Sequence, residues 1–471
     1  MQLSMYTLIV ENYPSKGEHL LYHTRTQAMV TIKQELKDLL NDLSAPQNVA
    51  MRMRYAEELE QMRKMDMLVE NRWEDVKKLV RFLGDLKYEK YGSMFAVTVL
   101  TTLDCNFQCS YCFEEGVRRN VSMTLPTSDA VIGWIRDRML AHGYKDLRLT
   151  FYGGEPLLNE EVLEYMAGKL SQWCTAQGFS FKFNIQTNGY LLTAERVKKY
   201  LLLGLTDVRI SLDGVGEEHN RQRHLRGGGG TFDRIITNIL DNVDQVKIGI
   251  SVSYDRWGVE HVGRLLDYLE GLGILHKLGR FICSPVHPSL GLPGRAEATR
   301  NSACLMNYSD AELVRTTLAI NNLLEHKGLL AQKGLPIAAC PMGREHGGVT
   351  IDPEGALYAC NSMVGHQEFS IGDVFSSQPN NRRSEFLNMD VGLQCQPDCT
   401  FLPVCNGGCR LMSYLETGRL DVPNCKKGFL EQVAPELVKK EYEVLMRLSS
   451  ALAEKSAAAE KTLDAKDARV I

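Results

Sequence analysis

Three observations predict an α/β protein: an incomplete parallel barrel flanked by a small amino-terminal module and a cysteine-dense carboxyl-terminal region. From about residue 93, apolar runs alternate with amphipathic stretches; before that point strands come first and helices after; and the cysteines crowd into two places. At roughly 150 residues per domain, 471 residues predict about three domains.

Residues 1–90 read as one module. The β-type runs MYTLIV, HLLYHT and AMVTI are separated by turn-prone NYPSKGE and RTQ, and amphipathic KQELKDLLND, YAEELEQMRKMDML and WEDVKKLVRFLGDL follow. Residues 93–285 alternate strand and helix. AVTVLTTL, LRLTFYGGEP, FKFNIQTNG, VRISLDG, VKIGISVSY and KLGRFICSP read as strands with helical stretches between them, which implies a parallel sheet covered on its outside. Six such units predict a partial (β/α)6 barrel with function on loops at the carboxyl ends of its strands. Residues 286–335 form a linker with one helix, 336–430 is the cysteine-dense region, and 431–471 is a helical, polar tail. Region 336–430 has little apolar sequence and is expected to gain its order from metal.

Composition excludes several classes. The 54 Lys+Arg against 58 Asp+Glu leave a net charge of -4, which argues against a broad nucleic-acid surface. The start lacks a basic segment followed by a long apolar one, and no run of about 18 apolar residues occurs. The expectation is a cytoplasmic chain that binds neither membrane nor nucleic acid. In that compartment, cysteines at ligand spacings point to metal rather than disulfides. Of 13 cysteines, three lie within 105–112 and seven between 340 and 425; Cys174, Cys283 and Cys304 stand alone. Cys174, in an apolar-periodic helical stretch, reads as core.

The loop Cys105-Asn-Phe-Gln-Cys109-Ser-Tyr-Cys112 follows the first barrel strand. Three thiolates so close can bind three irons of a cubane and leave the fourth open to a small molecule. Zinc is the rival ion, but a structural zinc site needs four ligands. CxxxCxxC with an aromatic residue before its last cysteine resembles the signature of radical S-adenosylmethionine (SAM) enzymes. Phe151-Tyr-Gly-Gly-Glu-Pro156 resembles the family's GGEP motif. There Gly153 and Gly154 would allow close backbone approach and Glu155 would accept from the methionyl ammonium. Gln186-Thr-Asn188-Gly resembles the segment reaching the ribose. Ser211-Leu-Asp213-Gly with Arg223 resembles the segment securing ribose and carboxylate. Tyr111 and Phe113 are expected to border the adenine. Glu114 and Glu115 read as polar loop residues that could face the site. The resemblance implies a [4Fe-4S] cluster on Cys105, Cys109 and Cys112. It also implies SAM, and hydrogen abstraction through a 5′-deoxyadenosyl radical.

The second cluster reads C-x14-G-x4-C from Cys340 through Gly355 to Cys360, then Cys395-x3-Cys399-x5-Cys405-x3-Cys409, then Cys425. It resembles the SPASM domain, apart from one extra residue between Cys395 and Cys399. The resemblance covers 93–430 and implies two auxiliary [4Fe-4S] clusters. Cys340, Cys360 and Cys409 would hold the first; Cys395, Cys399, Cys405 and Cys425 the second. The three clusters need eleven ligands and the motifs supply ten, so the first auxiliary cluster either keeps an open iron or takes Cys304 or Cys283.

SPASM proteins mostly modify peptides. Residues 1–90 resemble the winged-helix-like recognition element that binds leader peptides of ribosomally made natural products, by adding a strand to an exposed edge. The resemblance therefore implies a maturase of a precursor peptide, with a flavodoxin or ferredoxin as electron donor. The expected product is a crosslink, a thioether favoured and a carbon–carbon bond possible. Epimerisation and formylglycine formation of the anaerobic sulfatase-maturating type are the alternatives. Those enzymes carry an Asp directly after the second auxiliary cysteine, where this chain has Asn361, an amide that cannot take a proton at neutral pH. A non-catalytic iron–sulfur or zinc scaffold that binds a peptide is the reading from another class; in it GGEP would have no purpose.

Overall fold

The computed structural model describes residues 1–90, 92–112, 114, 116–254, 258–286, 290, 311–329, 335–338, 340–376 and 380–467, without the side chains of 451–467. Phe113, Glu115, Cys304 and most of the expected linker lie outside the described residues.

The amino-terminal module opens with β1 (Gln2–Leu3) and an antiparallel meander of β2 (Thr7–Val10), β3 (Glu18–His23) and β4 (Met29–Lys33). Helices Gln34–Asn41, Val49–Arg54 and Ala56–Lys64 follow, then β5 (Leu68–Val69), which pairs antiparallel with β1, and helix Arg72–Tyr88. The β1–β5 pair was not evident from the sequence, because two-residue strands carry no periodicity. Alternation along β3 sends Leu21 to a core with Ile32, Leu36, Leu39 and Met62, while Leu20 and Tyr22 face the other way. On that second face they meet Phe401 and Val404 of the cysteine-rich region and Ala434 and Val438 of the carboxyl-terminal helix.

The central sheet is built on β6 (Met94–Leu100), β7 (Asp146–Tyr152), β8 (Ser180–Thr187), β9 (Leu205–Ser211), β10 (Lys247–Tyr254) and β11 (Phe281–Pro285). All are parallel and lie in sequential order. Helices Leu125–Ala141, Glu160–Gln177, Ala194–Leu203, Phe232–Asn242 and Gly258–Gly271 cross between them. Their limits are set by local chemistry: Thr124 and Thr193 hydroxyls accept from Thr127 and Arg196 N–H, and Gly178 and Gly204 end helices in left-handed conformations. Strands and helices bury one shared core, Cys174 included. The sheet does not close among the described strands, as a partial barrel requires.

The cysteine-dense region joins the barrel sheet. Its β12 (Val349–Ile351) pairs in parallel with β6, and β13 (Ala356–Tyr358) and β14 (Gly372–Asp373) continue the sheet antiparallel, to nine strands among the described residues. Ile351, Leu357, Met363, Phe369, Ile371 and Phe386 are buried in the barrel's own core. Apolar packing against the barrel sheet therefore contributes to the order of this region beside whatever its cysteines bind. Helix Lys427–Asp467 closes the chain.

Candidate functional site

The six parallel strands end on one side, and the motif residues sit there. After β6 the chain leaves the sheet at Thr101 and enters the cysteine loop. That loop is not isolated: Gln108 and Ser110 N–H donate to the carbonyls of His224 and Gln222 at 2.9 and 3.0 Å, and Arg226 N–H donates to the Asn106 carbonyl at 2.9 Å. The loop thus zips along residues 222–226 and carries Arg223 beside it.

Behind β7, Gly154 and Glu155 N–H donate to the Thr102 and Asp104 carbonyls at 3.0 and 2.9 Å. Gly153 takes φ +141, and a Cβ at Gly153 or Gly154 would overlap the carbonyl oxygens of Thr102 or Asp104. The glycines are there because the two loops touch backbone to backbone. This contact sets Glu155, fully buried, against the start of the cysteine loop. Its carboxylate accepts from the Thr187 hydroxyl (2.7 Å), Asn188 N–H (2.8 Å) and Leu157 N–H (3.1 Å). Burial nevertheless pushes its pKa upward. A buried carboxylate so held, beside the cysteines, is suited to a cationic partner.

Asn188, at the end of β8, donates from Nδ2 to Asn106 Oδ1 at 2.8 Å and faces the Cys105 sulfur at 4.0 Å. Asp213, just past β9, receives the Tyr111 hydroxyl and, at 2.8 Å, Ser253 N–H. Arg223 Nη1 donates to Tyr111 Oη at 2.8 Å and lies 3.6 Å from Asp213 Oδ2, while its Nε is buried with no hydrogen-bond partner. The structure thus gathers Cys105, Glu155 and Asn188 into one group and Tyr111, Asp213 and Arg223 into another, both bordering the cysteine loop. Ser211 is the last residue of β9, in register with Ser251.

Several residues here were not singled out from sequence, and Glu114 was read only as a polar loop residue that could face the site. Arg118 donates to the Cys112 sulfur at 3.2 Å and to the Phe107 carbonyl at 2.8 Å, which puts a permanent cation among the three thiols. Glu114 is buried beside Cys112, with Oε1 unpartnered, and burial pushes it up to about 8. It is therefore no ordinary polar loop residue. Thr187 supports Glu155, and His219 Nδ1 accepts from Asp213 N–H at 3.2 Å. Arg118 and Glu114 carry a weak sequence signal, ionisable groups within six residues of Cys112. Thr187 lies within the Gln186-Thr-Asn188-Gly segment, and His219 carries no signal.

The twelve described cysteines are free. Cys340, Cys360 and Cys409 are near enough to act on one another's ionisation, and so are Cys395, Cys399, Cys405 and Cys425. Cys395 joins its group despite the extra residue, because a turn from Gln396 to Cys399 absorbs it. Gly407 and Gly408, at φ +76 and +81, bring the Cys405–Cys409 loop onto Asn424, whose N–H donates to the Gly407 carbonyl at 3.0 Å. A Cβ on Gly408 would strike the Asn424 carbonyl, so this contact places Cys425. Cys283, near Asp213 at the barrel mouth, lines one cavity with Cys405. Among the described residues no three Cys, His, Asp or Glu side chains converge as a single ion requires, with Zn–S about 2.3 Å. A cluster interposes its own core between its ligands, and the looser groupings fit that donor chemistry.

Comparison with known proteins agrees with this geometry. The radical SAM superfamily description matches residues 99–254. The chain is 24% identical over 332 residues to a cysteine-type anaerobic sulfatase-maturating enzyme of Clostridium novyi, covering 65% of this chain and 85% of that protein. It covers about half (52%) of the Fe-coproporphyrin III synthase of Methanosarcina barkeri, at 26% identity over 236 residues and 50% of this chain. In fold it is similar to native anSMEcpe with bound AdoMet and Cp18Cys peptide, with TM-score 0.57, 19% identity, and 74% of this chain and 99% of that one covered. It is also similar to Streptococcus suis SuiB bound to precursor peptide SuiA, with TM-score 0.51, 13% identity, and 90% and 98% covered. Residues 99–254 match the radical SAM superfamily, so the chain is an enzyme that carries a radical SAM domain.

Proposed function

We propose that the protein is a radical SAM maturase that installs a crosslink, most readily a thioether, in a ribosomally made precursor peptide. The observation that carries this is the convergence of Glu155, Asn188, Tyr111, Asp213 and Arg223 on the cysteine loop. Cys105, Cys109 and Cys112 would hold a [4Fe-4S] cluster, and Gly153, Gly154, Glu155, Asn188, Ser211, Asp213 and Arg223, with Tyr111 and Phe113, would hold SAM. When bound, these groups supply a 5′-deoxyadenosyl radical that takes a hydrogen atom from the substrate.

The chain's own residues bind, orient and exclude water. Glu155 presents a carboxylate for the methionyl ammonium, and its fixation by three donors keeps it there between turnovers. Arg223, with one buried unpartnered N–H, presents a cation for the carboxylate of the same ligand. Asp213, held by Ser253 N–H, and Asn188 offer acceptor and donor for ribose hydroxyls. Cys340, Cys360 and Cys409, and Cys395, Cys399, Cys405 and Cys425, would hold two auxiliary clusters within residues 336–430. An open iron on the first would take a substrate thiolate.

Peptide as the substrate class is supported by two fold neighbours solved with peptides, of which SuiB is matched over 90% of this chain. Residues 1–90 would bind the leader, and a flavodoxin or ferredoxin would supply electrons. Formylglycine formation is disfavoured at Asn361, whose side-chain oxygen already receives the Thr350 hydroxyl. Among the described residues no helix is long and apolar enough to cross a membrane.

The test is anaerobic reconstitution with SAM, reductant and the precursor peptide encoded beside the gene. Loss of two hydrogens from the peptide, with 5′-deoxyadenosine formed and both abolished in Cys105→Ala, is the expected result. An unchanged mass with deuterium taken up from solvent would mean epimerisation instead.

A further inference from the structure

Arg410 follows Cys409 directly and opens helix Arg410–Thr417. Its side chain is 4% exposed. Nη2 donates to the carbonyls of Gly407 and Gly408 at 2.5 and 3.0 Å, and Nη1 is buried with no hydrogen-bond partner. A guanidinium keeps its proton in a protein, and a buried charge without a counter-charge is strongly disfavoured. The foremost acidic groups acting on Arg410 are Cys340, Cys409, Cys395 and Cys405. These four divide evenly between the two carboxyl-terminal sets. Arg410 and Cys340 also line one cavity. The two glycine carbonyls that fix the guanidinium belong to the loop joining Cys405 of one set to Cys409 of the other.

We propose that Arg410 is a counter-cation shared by the two auxiliary clusters, a positioning residue that raises the reduction potentials of both from between them. This rests on the three-cluster reading above. Each cluster takes up one electron from an external one-electron reductant, no bond being made or broken. A fixed positive charge in a low-dielectric interior favours the more negative, reduced state of whatever lies beside it. One cation facing both clusters therefore acts on both at once.

The experiment uses the full chain with Cys105, Cys109 and Cys112 replaced by alanine, so that only auxiliary clusters contribute. Dithionite titration with mediators, followed by electron paramagnetic resonance, gives the two midpoint potentials. In Arg410→Gln both are expected to move negative. At a fixed potential the reduced-to-oxidised ratio should fall by on the order of tenfold, about 59 mV for a one-electron couple. Arg410→Lys, which keeps the charge, should stay near the parent. Unchanged potentials in Arg410→Gln, or a shift in one cluster alone, overturn the proposal. Equal loss of iron from Arg410→Gln and Arg410→Lys also overturns it, since the side chain would then serve packing. If the parent itself holds clearly fewer than about eight irons per chain, the two-cluster reading fails first and takes this inference with it.

Discussion

Glu155 shows what a single side chain contributes. Its three accepted hydrogen bonds orient it, and Glu155→Gln would keep its shape while removing the charge and setting an NH2 against the donors on one of its two oxygens. Hydrogen bonds to charged groups contribute about 1.5–3 kcal/mol. SAM affinity is therefore expected to fall about tenfold to hundredfold, as read by equilibrium binding and by 5′-deoxyadenosine formation at limiting SAM. His23 is fully buried between Ser4 and Thr26, and burial, aided by Arg25 and Lys78 and opposed by Asp66, lowers it to about 4. The folded form holds this histidine neutral, while the unfolded chain takes up a proton below about pH 6.5. Its contribution is thus intact above pH 6.5 and is lost as pH falls toward 4, at up to about 1.4 kcal/mol per pH unit. Urea midpoints at pH 7 and 5.5 should converge in His23→Gln and diverge in the parent; equal divergence in both would remove His23 from the account.

At the scale of elements, the decisive contacts are loop on loop at the strand ends. Gly154→Ala forces a methyl into the Asp104 carbonyl, directly beside Cys105. The expected result is loss of iron and spectroscopic signal from the amino-terminal cluster while the carboxyl-terminal cysteines keep theirs; full iron content in Gly154→Ala would mean that the loops need not touch. Helix caps are separable from this chemistry. Asn71 accepts from Glu74 N–H at the start of Arg72–Tyr88, and Asn71→Ala should cost about 1 kcal/mol of stability without altering SAM cleavage.

Across the whole molecule, the amino-terminal module and the cysteine-rich region are one packed unit. Tyr6 Oη donates to the Pro397 carbonyl at 2.6 Å and Thr24 Oγ1 to the Thr400 carbonyl at 2.6 Å, while Thr400 Oγ1 donates back to the Met5 carbonyl at 3.0 Å. Leu20, fully buried, meets Phe401 and Val404 in the same interface. Leu20→Ala is expected to cost about 2–5 kcal/mol and to loosen the loop bearing Cys395, Cys399 and Cys405, measurable as faster iron loss to a chelator. Unchanged iron release would show that the module docks without supporting that loop.

The sequence by itself determined the parallel α/β class, the order of strands and helices through the barrel, and the spacing of the cysteines, because periodicity, caps and ligand spacing are local properties. It also marked Glu155, Asn188 and Asp213 as residues at strand ends, with Arg223 following. It could not show that Tyr111 reaches Asp213, that Arg118 and Glu114 are buried against the cysteines, or that Arg410 stands between two sets of sulfurs. Nor could it show that Val349–Ile351 extends the barrel sheet across the assigned linker, so that apolar packing adds to the ordering expected of metal. Those are contacts between segments far apart in the chain. Such contacts depend on which surfaces the folded sheet brings together, and only the tertiary structure decides that.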